Sequence, residues 1–146
     1  MMKQSHVVSS LLVSLLLTLA SCQTATLQST ADDAAAKHFS TPPGQATIYI
    51  YRPSALAGAA RVEPVFIDGR MLGQNGPGTF LMIHVGAGHH TVATTAHSLT
   101  LDADVGKAYF FKQTHSNWGP SSSLARVTEE EGKKGVVACE RAAGLF

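Results

Sequence analysis

Histidine is the residue type present in excess. Of seven in the chain, His38, His84, His89, His90, His97 and His115 lie well beyond the N-terminal segment, and imidazoles in number suggest metal ligation or proton transfer. A metal centre needs at least three ligands converging on one point. His89 and His90 are adjacent, and adjacent residues of a strand face opposite sides. His84 and His89 flank one loop, Gly86-Ala87-Gly88, and are the pair best able to approach each other. His97 shares a face with His89 but lies roughly 26 Å along an extended strand. Neither His-x-His nor His-Glu-x-x-His occurs. No metal and no cofactor is expected, with His84 and His89 the candidate ligands should a site exist. Hydrolytic chemistry has no better footing. There is no Gly-x-Ser-x-Gly elbow, and Ser121-Ser122-Ser123 reads as loop. Gln74-Asn75-Gly76-Pro77-Gly78 lacks the lysine of a phosphate loop, and Gly86-Ala87-Gly88 joins two strands where a nucleotide loop opens a helix. Asp68, Asp102 and Asp104 fall in turns, where carboxylates bond nearby backbone amides. No catalytic residue is assigned and no enzyme is expected.

Of the two cysteines, Cys22 has the telling context. Lys3 supplies a positive start, and residues 7–20 form an apolar run ending on Leu19-Ala20-Ser21-Cys22. The run suits a secretory signal and is short of the ~20 residues that span hydrocarbon. The tetrad resembles the lipobox of bacterial lipoproteins. That resemblance implies cleavage between Ser21 and Cys22, lipidation of the Cys22 thiol, and two or three acyl chains as anchor. At ~0.8 kcal/mol per buried methylene a single chain holds marginally, whereas several hold permanently. Gln23 stands where the sorting pattern resembled here uses aspartate for inner-membrane retention, which favours the outer membrane, facing the periplasm. Residues 1–21 carry one charge, Lys3, so the mature chain has ten basic and ten acidic residues. That balance gives no reason to expect nucleic acid as a partner. Cys139, left without a second cysteine, is expected as a buried small hydrophobe.

The elements that would position these residues are mostly strands. Residues 22–44 are low in large apolar side chains and end on Pro42-Pro43-Gly44, so they read as a flexible tether. From residue 46 the texture becomes β-branched and aromatic: ATIYIYR, then VEPVFID, a tight turn at Asp68-Gly69, and Arg70-Met71-Leu72-Gly73. TFLMIHV runs into Gly86-Ala87-Gly88, with HHTVATTA as its expected hairpin partner. SLTLDAD and KAYFFKQTH complete the strands, and 117–123 reads as loop. Thr128 is the expected N-cap of one or two helical turns, with Glu129, Glu130 and Glu131 in the first turn; Gly132 and Gly135 weaken it. The fold class is therefore mainly β, a small β-sandwich or partly open barrel with a short C-terminal helix. It comprises one domain over 45–141 and a tail over 142–146. Tyr49 and Tyr51 share one strand face opposite Ile48 and Ile50, so that pair is either core or an exposed contact surface for a partner.

TIYIYRP, VFIDGRMLG, GTFLMIHVGAGHHTV, DVGKAYFFK and a closing VTEEEGKK together resemble a family of small bacterial lipoproteins that carry a domain of unknown function. The Asp-Gly and Gly-x-His elements are also similar to PEGA-type β-modules of cell envelopes. One departure is Ala87-Gly88, where Pro-Gly is usual. The resemblance covers most of the mature chain and implies a β fold without naming an activity. The expectation is a membrane-anchored envelope lipoprotein whose domain binds or supports another envelope protein or a glycan. A periplasmic metal- or small-ligand-binding module is the alternative, and a cryptic hydrolase, with an open serine bonded to a histidine, a more distant one.

Overall fold

The computed structural model describes residues 24–55, 61–115 and 122–146. Helix α1 (Thr30–Ala36) precedes eight strands: β1 (Gln45–Arg52), β2 (Glu63–Ile67), β3 (Arg70–Asn75), β4 (Thr79–Gly86), β5 (Gly88–Ala93), β6 (Ser98–Ala103), β7 (Ala108–His115) and β8 (Ser122–Val127). Helix α2 (Glu129–Val137) and the two-residue β9 (Glu140–Arg141) follow. The strands form two sheets, β8-β7-β1-β4-β9 and β3-β2-β5-β6. They face each other without closing into a barrel, so of the two expected architectures the sandwich is the one formed.

Alternation along β1 explains the layering. Ile48 and Ile50 point between the sheets with Leu81 and Phe111, against Val65, Leu72, Val92 and Leu101. Tyr49 and Tyr51 point to the opposite face with Phe80 and Phe110, under Ala36, Val136 and Cys139. Both faces of β1 are therefore buried, which suits a strand lacking polar alternation. β1 pairs antiparallel with β4 and parallel with β7. The Asp68-Gly69 turn forms as expected, with φ 51° and 76°, the two positive values of a type I′ hairpin.

Four expectations are corrected. The hairpin between TFLMIHV and HHTVATTA does not form: β4 pairs with β1 and β9, while β5 pairs with β2 and β6. Gly86-Ala87-Gly88 instead carries the chain from one sheet to the other, and Gly88, the first residue of β5, has φ 129°, an angle that side-chain-bearing residues rarely adopt. Ser122 and Ser123 belong to β8 rather than a loop, paired with His115 and Thr114. From residue 24 onward the expected tether packs on the domain. Gln28 N–H donates to Arg141 O at 2.9 Å, Ser29 caps α1, and the Tyr49 hydroxyl donates to Ala36 O at 3.0 Å. Small alanines here allow close approach to an aromatic face, a packing mode that leaves no stripe of large residues. The tail over 142–146 is likewise part of the fold. Ala142 N–H donates to Phe80 O at 2.8 Å, Ala143 N–H to Thr26 O at 2.7 Å and Leu145 N–H to Leu72 O at 2.8 Å.

Candidate functional site

A half-open groove of about 660 Å³ lies beside β4, within the ~300–1,000 Å³ that small ligands fill. Ala35, Met82 and Ile83 give it an apolar lining, with Ala36 and Tyr49 buried beneath; Ser40, Thr41 and Pro42 form one rim, and Arg141 and Phe146 the other. His84 stands at one end, its Nδ1 3.0 Å from Thr47 Oγ1. The Thr47 hydroxyl donates to Thr41 Oγ1 at 3.0 Å, which leaves it to accept from the His84 ring N–H. Burial, and then the Arg141 charge, hold His84 below its ordinary pKa of 6.5, so the ring is neutral at pH 7. Burial pushes Tyr49 up to about 12. The permanent cation is Arg141. Its Nη1 donates to the Asp32 carbonyl at 3.3 Å and its backbone N–H to Asp33 Oδ1 at 2.8 Å. Among the described residues no carboxylate pairs with its guanidinium. The groove thus presents apolar surface, a guanidinium without a carboxylate partner and a hydroxyl–imidazole chain.

The sequence pattern of the family described as "Protein of unknown function (DUF2846)" matches residues 42–127. An uncharacterized protein of Haemophilus influenzae is 31% identical over 133 residues, covering 86% of this chain and 78% of its own length. The chain belongs to the DUF2846 family. Among solved structures it is similar to the N-terminal domain of AlgF from P. aeruginosa. Identity there is 16% and the TM-score 0.41, over 60% of this chain and 99% of that one. The DUF2846 match takes in the groove residues Tyr49, Met82 and His84, whereas Ala36, Arg141 and Phe146 lie outside it.

The residues expected from the sequence fall as follows in this DUF2846 chain. Ser21 and Cys22 lie outside the described residues. Tyr49 and Tyr51 are 0% and 2% exposed, which corrects the contact-surface alternative: α1 and α2 cover that face, and the pair is core. His84 and His89 are carried on different sheets. His89 is exposed and pairs with Asp102, while His90 pairs with Asp68 on the other face, as alternation along a strand requires. No cluster of three or more metal-ligating side chains occurs among the described residues.

His115 sits opposite Ser122 in the β7–β8 ladder, with Nδ1 3.5 Å from Glu63 Oε1. Ser122 Oγ is buried and bonds no described group, so the trio lacks the open, hydrogen-bonded serine a hydrolase needs. Cys139 is buried, as expected, its Sγ 3.5 Å from Arg52 O, and burial pushes its thiol up to about 11. Sequence reasoning missed Arg141 and the groove. The one available signal was an arginine following Cys139-Glu140 in an otherwise small-residue tail, and it is faint.

Proposed function

We propose that this chain is a lipid-anchored protein of the bacterial envelope, attached through Cys22 and facing the periplasm from the outer membrane. Its sandwich serves as a non-catalytic module that binds or supports another envelope component. The anchor rests on the Lys3, apolar-run and Leu-Ala-Ser-Cys order in the sequence. The groove beside β4, apolar beneath and cationic at Arg141, is the observation that favours binding. Its volume also suits a small anionic ligand taken up without any partner protein, which is the second reading.

Growth of intact cells with an alkyne-bearing palmitate tests the anchor. The expected result is label on the wild-type protein, none on Cys22→Ser, and wild-type protein in the outer-membrane fraction. Unlabelled wild-type protein would overturn the anchor. A crosslinking pull-down from the same two strains tests the module. Envelope proteins recovered with wild type alone support it, and an empty wild-type eluate directs attention to small anions.

A further inference from the structure

β4 pairs with β1 along all eight of its residues, but its other edge meets β9 only at Thr79 and Phe80. The Phe80 carbonyl points to that outer edge, where it accepts from Ala142 N–H. Strand alternation turns the N–H and C=O of Met82 and His84 the same way. After Ala142 the tail departs: Ala143 bonds Thr26, and Gly144 bridges to Gly73 on the second sheet. The Gly86 carbonyl is taken by His90 Nε2 at 2.9 Å. Among the described residues nothing takes the outward N–H and C=O of Met82 or His84. Four backbone groups thus stand in a row along the wall of the groove, and Met82 and His84 both line it.

Unpaired edges are ordinarily blunted by charge or cover. The β3 edge is covered by the tail, β6 carries Asp102, and β8 carries Arg126. The open stretch Met82-Ile83-His84-Val85 has neither cover nor a formal charge once His84 is neutral. The nearest charge on the groove rim is Arg141, whose guanidinium has no carboxylate partner.

We propose that the outer edge of β4 receives an extended segment of a partner envelope protein, which adds as a strand beside Met82 and His84 and presents an acidic side chain to Arg141. Every second side chain of that segment enters the groove beside Met82, on the α1 side of the sheet, and the main chain supplies the hydrogen bonds. A second copy of this chain is the poorer occupant, because β4 bears no acidic residue to offer Arg141. The inference deepens the binding-module reading and rests on it.

The test uses full-length lipidated protein in detergent micelles. The probes are acetylated octapeptides of alternating valine and threonine, with one aspartate moved through the eight positions. One aspartate register is expected to bind best and to lose about fivefold in affinity with Arg141→Gln, the size of a rim charge pair. The Met82 and His84 amides are expected to exchange fast alone and slowly with peptide. N-methylating alternate peptide residues of one parity abolishes binding, while the other parity leaves it within about twofold, because only one set of N–H groups faces β4. Equal loss with both parities, or no binding by any probe, would overturn strand addition. Protection of both amides without peptide, alongside dimers in sedimentation, would assign the edge to a second copy and overturn it too. Partners captured in the pull-down with no parity effect among the peptides would keep the module and remove the strand.

Discussion

Asp68 carries a knot of interactions that joins a turn to a crossover. It adopts φ 51°, a conformation Asp tolerates better than most side chains. Its Oδ1 accepts from Thr91 N–H at 2.8 Å and its Oδ2 faces His90 Nδ1 at 2.7 Å. With Nε2 facing the Gly86 carbonyl, both ring nitrogens of His90 meet acceptors, the arrangement of an imidazolium. The hydrogen bond that His90 donates to Asp68 leads in raising the His90 pKa above 6.5. Burial pushes the Asp68 carboxyl up, but the His90 and Thr91 hydrogen bonds outweigh it and hold the group below 3.8. The stability from His90 is therefore complete below pH 6.5 and is lost as pH rises through its elevated folded value. That from Asp68 is complete above pH 3.8 and is lost as pH falls through its lowered one. The stability gap between wild type and His90→Gln is expected to be widest between about pH 4 and 6.5 and to shrink above it. Its size is about 0.5–1 kcal/mol, because water still screens a half-exposed Asp68. Urea titrations of both proteins from pH 4 to 9 check this. A gap that widens towards pH 9 would contradict the imidazolium.

Helix α2 shows how an element with poor propensity is held by what lies beneath it. Thr128 caps it by accepting from Glu131 N–H at 3.3 Å, and three glutamates occupy its first turn, all readable from the sequence. Gly132 and Gly135 were legible only as weaknesses. A Cβ on Gly132 would come within 2.2 Å of Phe110, and one on Gly135 within 2.2 Å of Tyr51. The two glycines let the helix backbone lie directly on the aromatic face of the first sheet. Gly135→Ala is therefore expected to destabilise by about 1–3 kcal/mol through overpacking, although alanine improves an exposed helix by about 1 kcal/mol. Chemical denaturation measures it, and a stabilised variant would contradict the close contact. The preceding strand was hidden for a related reason. Leu124-Ala125-Arg126-Val127 is four residues running straight into a capped helix, and only pairing with Gln113, Lys112, Phe111 and Phe110 makes it β8.

On the scale of the whole molecule, the segment around Leu27 and the residues after β9 close one side of the sandwich. Leu27 bridges to Ala142 and Gly144 to Gly73, so the segment after β9 ties the outer edge of the first sheet to that of the second. Deleting residues 143–146 removes the bonds from Ala143 to Thr26 and from Leu145 to Leu72, each about 1 kcal/mol, and uncovers the β3 edge. A fall in Tm of roughly 10 °C is expected, with association through the bared strand. Thermal melts followed by sedimentation test both. An unchanged Tm would mean that the tail only decorates the surface.

Local order sufficed for part of this protein. The Asp68-Gly69 turn, the Thr128 cap, most strand cores and the lipobox-like tetrad are patterns of neighbouring residues, and their physics is complete within a few positions. Which strand pairs with which is decided elsewhere. Thr79–Gly86 reads equally well as partner to the strand after it or to β1, and only the two-sheet packing selects β1. The same packing buries Tyr49 and Tyr51, whose alternation was compatible with exposure until α1 and α2 covered them. It also brings Arg141 from the far end of the chain to the rim beside His84. A groove exists only where segments distant in sequence fail to fill the space between them, so neither the cation nor the open β4 edge had a local signature. The sequence determined most of the strands, the Asp68-Gly69 turn and the Thr128 cap. Tertiary structure alone determined the pairing and the groove, because both depend on contacts between residues far apart along the chain.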